Sequence, residues 1–280
     1  MSGNLGLPSA DQGNWQLSIN YDLNVLNTLK DGTTRLNDNT RKRTTHSLLT
    51  EIGYSITDKL SIDAFFSFVK QERKLSPVGQ PENFTSTNGI GDAVLLLKYK
   101  FYKNFQAGIG VKLPLGLSDI RDERGLTLNA DLQPGSGAWD IIYWFNGSHP
   151  IAIKPSMSLT ARAIYRSTGE NNTYFETQTY EFGNEFQFLV GLADRYTIGT
   201  QIFDPSLSFK YRAVSSDIND DFEVPSTGGQ WVFIRPGLAY NLNPNLIIQS
   251  NIELPIYANL SGTQVTPTFR WNFGVLFKTS

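Results

Sequence analysis

The chain of 280 residues contains no cysteine. This absence excludes disulfide bridges, thiol nucleophiles, thiolate metal sites and a lipid-anchoring cysteine. The formal net charge is only -2, so the chain lacks the basic balance of a nucleic-acid-binding protein. No stretch approaches the roughly 18 consecutive apolar residues of a membrane-spanning helix, and any membrane span must therefore be built from strands.

The chain also lacks a boundary between domains. No linker, charge block or composition shift divides it, which predicts one domain over residues 1–280. Residues 1–13 show no charged start followed by an apolar core, so we expect that a signal peptide has been removed. These residues are predicted to form a short periplasmic N-terminal segment.

The strongest positive signal is alternation. From Trp15 to Val25, apolar residues occupy every odd position and polar residues every even position. A pleated strand with this pattern turns one face to oil and the other to water. The pattern recurs along the chain and predicts an all-β fold, a transmembrane antiparallel up-and-down β-barrel of about twelve strands. A soluble barrel or sandwich with its faces reversed is the alternative.

The links between the predicted strands alternate in length. Short, turn-forming links on one side and long links on the other are typical of periplasmic turns and extracellular loops, with both termini periplasmic. The predicted strands are 14–29, 43–56, 60–74, 90–101, 105–116, 137–146, 151–166, 179–192, 196–211, 229–242, 246–258 and 264–278. The predicted short turns are 57–59, 102–104, 147–149, 193–195 and 243–245, and the long links are 30–42, 75–89, 117–136, 167–178 and 212–228.

The two faces of the predicted strands differ in chemistry. Aromatic residues such as Phe66, Tyr99, Trp139 and Trp271 share the apolar parity, as expected for lipid-facing aromatic girdles. The opposite parity carries glycines and charges, which suit a crowded lumen. The lumenal candidates for a solute pathway are Glu51, Asp63, Lys98, Lys112, Arg162, Glu185, Trp231, Phe233, Arg235, Glu253 and Arg270.

Three groups of lumenal residues allow more than one interpretation. Pairing across the 243–245 turn places Arg235 almost opposite Glu253, either as a charged constriction or as an ion pair that fills the lumen and fixes the register. Glu51 and Asp63 lie diagonally across the 57–59 turn, either as paired carboxylates suited to acid/base chemistry or, in the preferred interpretation, as charges that neighbouring Lys or Arg neutralise. The aromatic residues Trp231 and Phe233 either guide apolar solutes or pack under the 212–228 loop.

Catalytic and metal sites are not predicted. His46 and His149 are expected at opposite ends of the barrel, so they cannot form one site. The acidic loop residues Asp217, Asp220, Asp221 and Glu223 lack the glycine and spacing of the twelve-residue calcium loop, and a solvated loop is the preferred interpretation. We therefore predict no enzyme activity, no cofactor and no metal.

Several short motifs resemble a known family. Gly89–Asp92 running into Leu97–Phe101, Gly108–Gly116 and Gly135–Asp140 resemble, in the same order, the bacterial outer-membrane family named for the meta-pathway of phenol degradation. The resemblance is weaker at 235–240 and 253–256. It implies an outer-membrane transporter or channel for small, often hydrophobic compounds, and it carries over no catalytic residues.

Together these observations predict a channel or transporter of the bacterial outer membrane for small solutes, including hydrophobic or aromatic ones. Expected partners are outer-membrane lipid, lipopolysaccharide near the basic residues of the first long loop, and the solute, with no nucleic acid. A structural or accessory barrel with a plugged lumen is the alternative function. An autotransporter-like translocator is disfavoured, because the residues before the first strand are too few, and contain Gly and Pro, to span a lumen as a helix.

Overall fold

The computed structural model describes residues 5–8, 11–77 and 79–279. It contains twenty-one strands and one short 3-10 helix at Ala130–Leu132. The strands are β1 (Trp15–Leu26), β2 (Thr28–Asp31), β3 (Thr34–Arg35), β4 (Arg41–Ser55), β5 (Leu60–Leu75), β6 (Asn83–Ile90), β7 (Ala93–Tyr102), β8 (Phe105–Leu113), β9 (Asp140–Ile151), β10 (Lys154–Ser167), β11 (Glu170–Tyr174), β12 (Gln178–Glu181), β13 (Glu185–Ala193), β14 (Tyr196–Ile198), β15 (Gln201–Val214), β16 (Ile218–Asn219), β17 (Phe222–Glu223), β18 (Gly229–Asn243), β19 (Leu246–Leu260), β20 (Thr263–Thr266) and β21 (Phe269–Lys278).

Twelve of these strands form a closed barrel in which every neighbour is antiparallel. The order around the barrel is β1, β4, β5, β7, β8, β9, β10, β13, β15, β18, β19 and β21. The barrel closes where β1 pairs with β21, from Gln16 opposite Lys278 to Val25 opposite Phe269. Closure leaves no barrel strand with an unpaired edge, which is the condition for strands to cross a bilayer. The predicted twelve-stranded barrel is confirmed.

The outer surface of the barrel is apolar and the inner surface is mixed. In β1 the even residues Gln16, Ser18, Asn20 and Asp22 are buried in the lumen, whereas Trp15 and its odd neighbours are exposed. The exposed band includes aromatic residues of several strands, among them Phe66, Phe68, Tyr99, Phe101, Phe273 and Phe277, together with Trp139 just before β9. The predicted assignment of the two parities is confirmed. Among the described residues, no helix is long and apolar enough to cross a membrane.

The links at one end of the barrel are short, and those at the other end are long. The predicted turns at 57–59, 102–104 and 243–245 lie between barrel strands as expected. The predicted turn at 147–149 is wrong, because β9 continues to Ile151 and pairs His149 with Leu159. The predicted turn at 193–195 extends into a small hairpin in which Ile198 pairs with Gln201.

The long links fold into structure of their own, which the alternation did not predict. Strand β6 prolongs the barrel wall by pairing with the outer half of β5. Strands β2, β3 and β20 form one small sheet, and β11, β12, β16 and β17 form another. In outer-membrane barrels the long-loop end is extracellular, and we use that orientation below.

Candidate functional site

The lumen is the only space that twelve strands share, and its outer half is open. An outer cavity of about 510 Å³ lies under the extracellular loops. An inner cavity of about 370 Å³ lies below it. Both cavities are lined by Asn24, Arg43, Asp131, Arg166 and Phe182, so they adjoin each other.

The 114–139 loop folds into this space and narrows it. The Thr87 hydroxyl donates to the Leu132 carbonyl at 2.6 Å, and the Gln71 amide donates to the Gln133 carbonyl at 3.1 Å. At the base of the loop, Ser136 donates its backbone N–H and its hydroxyl to Asp92, at 3.0 and 2.7 Å. These bonds fix the loop to the wall, so it forms a constriction rather than a free lid.

The predicted lumenal residues all lie on the inner face of the barrel. Most are neutralised in pairs or small networks. Lys98 is 2.6 Å from Asp63, Lys112 is 2.8 Å from Asp140, and Arg270 is 2.8 Å from Asp22. Opposite charges at this range offset much of the cost of removing each charge from water.

Glu253 lies opposite Arg235, as predicted, because the ladder pairs Ile234 with Leu254 and Gly237 with Asn251. The Arg235 Nε is 3.5 Å from the Glu253 carboxylate. A closer partner was missed: the Lys210 Nζ donates to both carboxylate oxygens, at 2.9 and 3.1 Å. Lys210 shares the lumenal parity of β15 with Ser208, and that parity was the signal that could have identified it.

The aromatic pair Trp231 and Phe233 is buried, and it packs with Ala258 and Leu260 beneath the loops. The Trp231 indole N–H donates to the Thr266 hydroxyl at 2.7 Å. The structure supports the second interpretation, packing under a loop, but the loop over this pair is 261–268 and not 212–228. Trp231 still lines the outer cavity with its ring.

The lower half of the lumen contains a segment that sequence analysis did not place there. Leu5–Pro8, which we call the plug segment, lies inside the barrel. The Gly6 N–H donates to Glu51 at 2.9 Å, and the Leu7 N–H donates to Asp63 at 3.0 Å. The prediction of a periplasmic segment over 1–13 is corrected for residues 5–8, whereas residues 1–4, 9 and 10 lie outside the described part of the chain.

The plug segment also binds the opposite side of the lumen. The Lys98 Nζ donates to the Leu7 carbonyl at 2.8 Å, and the Trp144 indole donates to the Leu5 carbonyl at 2.8 Å. Glu51 and Asp63, predicted to be neutralised by basic side chains, are therefore satisfied by Lys98 together with the backbone of this segment.

Beside the plug segment the lumen is apolar. We call this surface the apolar wall; it consists of Leu49, Phe65, Val94, Leu96, Ile142, Trp144 and Ile164, and Leu5 packs on it. Sequence analysis missed it because, apart from Trp231 and Phe233, only charges and glycines were assigned to the lumen. Two unbroken apolar runs, Ala93–Leu97 and Ile141–Phe145, carried the signal, since a strand that is apolar on both faces has no alternation.

The predicted histidines are separated as expected. The His46 Nδ1 and the Tyr21 hydroxyl form a 2.7 Å hydrogen bond on the outer face of the barrel. His149 lies near the periplasmic end of β9. In the acidic loop, Asp217 is buried and accepts from Tyr180 and Gly183, so it is not solvated as predicted. The described residues contain no group of three or more His, Asp or Glu placed to hold a metal.

Comparison with known proteins decides the family. The family model described as "Putative MetA-pathway of phenol degradation" matches residues 58–261. The chain belongs to this family. None of the curated proteins compared with the chain matches it significantly.

Solved structures support the same fold. The COG4313 outer membrane channel from Pseudomonas putida F1 is 14% identical, with a TM-score of 0.70 over 100% of this chain and 99% of that chain. The beta domain of the Bordetella autotransporter BrkA is 10% identical, with a TM-score of 0.55 over 96% of this chain and 100% of that chain. At such identities the likeness concerns the fold, which is that of outer-membrane barrels.

Proposed function

We propose that the chain is an outer-membrane channel that passes small solutes with hydrophobic or aromatic bodies. The observation that carries this proposal is the apolar wall. A lumen that passes only hydrophilic solutes has no use for a continuous apolar surface, because water wets it poorly and exposing it is unfavourable. An apolar solute gains free energy on the same surface.

The route follows from the order of the spaces along the barrel axis. A solute enters the outer cavity and passes Phe182 into the inner cavity, whose lining includes Leu49. Leu49 is also the upper member of the apolar wall. Below it, the plug segment covers the wall, so passage requires this segment to move.

The plug segment is suited to such movement. Its backbone is held by a few hydrogen bonds to the lumenal side chains of Glu51, Asp63 and Lys98, and it forms no strand with the barrel. Segments with few ladder hydrogen bonds open at lower free energy than the sheet that surrounds them. The barrel wall can therefore stay intact while the lumen opens.

A single methyl group tests the proposal. Gly6 has φ +92°, and a Cβ at this position would lie 2.6 Å from the Trp144 ring. Gly6→Ala should therefore expel the plug segment from its seat. We expect a higher conductance in planar bilayers and faster permeation of benzyl alcohol into vesicles.

Gly13→Ala is the matched control. Gly13 also has a positive φ, +82°, but no atom lies within 4 Å of its Cβ position. The control should conduct like the parent. Equal, negligible conductance and permeation in all three proteins would contradict the channel.

That negative result would favour a second function, an accessory barrel with a permanently filled lumen. The ion pairs and the plug segment are the observations that favour it, since both lie inside the lower lumen. Such a barrel would act through its structured loops.

A further inference from the structure

The outer cavity carries an excess of positive charge. Its lining includes Arg41, Lys42, Arg43, Arg73, Arg166 and Arg212, against the carboxylates of Asp131 and Asp217. Two of the six cations share one carboxylate from below, because Glu185 lies 3.2 Å from Arg166 and 2.6 Å from Arg212, and Arg41 lies 4.0 Å from Asp38. The excess is therefore concentrated on the side of the cavity formed by β4 and β5.

The centre of this excess is a pair of arginines. Arg43 and Arg73 lie directly opposite each other on adjacent strands, and both have the lumenal parity. Like charges in this position repel each other and destabilise a sheet. Their proximity is unfavourable unless an anion lies between or beside them.

Among the described residues, only one of the two arginines has an anionic partner. The Arg43 guanidinium donates to the Asp131 carboxylate at 2.7 Å, to the Asp131 carbonyl and to the Gln71 side chain. Arg73 forms neither an ion pair nor a side-chain hydrogen bond with any residue that the structure describes. The Nε atoms of both arginines are buried from solvent, and no acceptor among the described residues bonds to them.

Buried guanidinium donors without acceptors are costly, and two side by side form a geometry that suits a carboxylate. Apolar side chains line part of the same cavity, beside polar residues of the loops. They are Leu26, Leu75, Phe182, Val214 and Trp231, and the cavity volume of about 510 Å³ is that of a small-molecule site. The cavity thus combines a cationic side with apolar side chains that can contact the body of a solute.

We propose that the outer cavity is a binding site for small aromatic or aliphatic carboxylates, held by the Arg43 and Arg73 guanidinium groups. This inference rests on the proposed function, since it names the chemical class of the solute that the channel takes up. Asp131 occupies part of the site in the absence of solute, and a carboxylate that enters takes its place beside Arg43 and satisfies Arg73. A cleft lined by one sign of charge also raises the local concentration of the opposite ion.

The test compares benzoate with benzamide, which has nearly the same shape and no charge. Both are titrated calorimetrically into the full chain folded in detergent micelles. We expect benzoate to bind at least about tenfold more tightly than benzamide, because one charge-assisted hydrogen-bonded pair contributes a difference of this size. Added salt should weaken benzoate binding and leave benzamide unchanged.

Arg73→Gln should reduce benzoate affinity to the level of benzamide. Lys74→Gln is the matched control, because it removes one positive charge from the adjacent position of β5, where Lys74 is half-exposed and paired with Glu82 at 2.6 Å. The control should bind benzoate like the parent. Asp131→Asn should strengthen benzoate binding, because it removes the competing carboxylate while leaving both arginines in place.

Equal binding of benzoate and benzamide, or equal loss in Arg73→Gln and Lys74→Gln, would overturn the inference. Its failure is distinguishable from failure of the channel. If the parent and Gly6→Ala pass benzyl alcohol but show no preference for benzoate, the channel stands and the carboxylate site falls. If the arginine-dependent preference is present but nothing permeates, the site stands and the channel falls.

Discussion

Removing Glu253 should destabilise the barrel more than removing Arg235, although the two form a pair. The reason is Lys210, whose side chain is 2% exposed and whose Nζ lies 2.9 Å from the Glu253 carboxylate. Glu253→Ala leaves this ammonium buried without its counter-ion. Breaking a buried pair in this way costs about 3 to 5 kcal/mol.

Arg235→Ala has a smaller effect. Its Nε is 3.5 Å from Glu253, and Glu253 keeps both hydrogen bonds to Lys210 when the arginine is removed. The loss includes the charged hydrogen bond to Asn251, at 2.9 Å, and such a bond contributes about 1.5 to 3 kcal/mol. Replacing both buried partners by apolar residues of similar size, as Lys210→Met with Glu253→Leu, should recover most of the stability.

The assay is urea unfolding of the barrel in lipid vesicles, followed by tryptophan fluorescence. Arg195→Ala is the control, since Arg195 forms an exposed 2.7 Å pair with Asp204 that should contribute under about 1 kcal/mol. Equal losses for Glu253→Ala and Arg235→Ala would refute the assignment of Lys210 as the main partner. A double apolar variant as unstable as Glu253→Ala would refute the explanation by a stranded charge.

Three further predictions test the membrane placement, the topology and the loops. Ile109→Arg should cost about 2 to 4 kcal/mol in vesicles if this exposed side chain faces lipid, whereas Leu126→Arg on the outer loop should fold like the parent. A protease site inserted at 124–125, in the outer turn of the 114–139 loop, should be cut on intact cells, and one at 199–200 should be protected; the reverse accessibility would invert the barrel. Burial raises the pKa of the Asp217 carboxyl despite its hydrogen bonds from Tyr180 and Gly183. A raised pKa means that the folded loop holds the proton more tightly than the unfolded chain. The contribution of this proton to loop stability should therefore be complete below the ordinary Asp pKa. It should be lost as the pH rises through the raised pKa. Amide exchange of 178–181 and 218–223, corrected for intrinsic rates, should show this trend, and Asp217→Asn should abolish it.

Alternation predicted the barrel because a strand between oil and a polar lumen must change chemistry at every residue. It fails where both faces are apolar, as in Ala93–Leu97, and there the lumenal side of the strand was not recognised. Turn signals were also misleading at one place. Gly147 lies inside β9, where a Cβ would approach the Phe105 ring to 2.6 Å, so this glycine makes room for an aromatic neighbour and not for a turn.

Strand parity also explains why only part of the candidate site was predicted. Strand parity places Glu51, Asp63 and Lys98 in the lumen, since parity is a local property. It cannot place the plug segment, whose position depends on hydrogen bonds to residues between 45 and 139 positions away along the chain. Nor can it identify Asp131 as the partner of Arg43, because the 114–139 loop has no periodic pattern that fixes its path.

If solutes pass only when the plug segment leaves the apolar wall, a reversible lock on this segment should control permeation. The chain has no cysteine, so an introduced pair is unambiguous. A Cβ on Gly53 would lie 2.8 Å from the Leu7 Cδ1 and 2.8 Å from the Asp63 carboxylate. The double variant Leu7→Cys and Gly53→Cys therefore places the two thiols next to each other once the Asp63 side chain shifts aside, and oxidation joins them as a disulfide. Permeation of benzyl alcohol into vesicles is measured with the lock oxidised and then reduced, with each single cysteine variant as a control. We expect that oxidation of the double variant stops permeation and that reduction restores it. Permeation through the single variants should not change on oxidation or reduction. Equal permeation in the oxidised and reduced double variant would contradict this expectation.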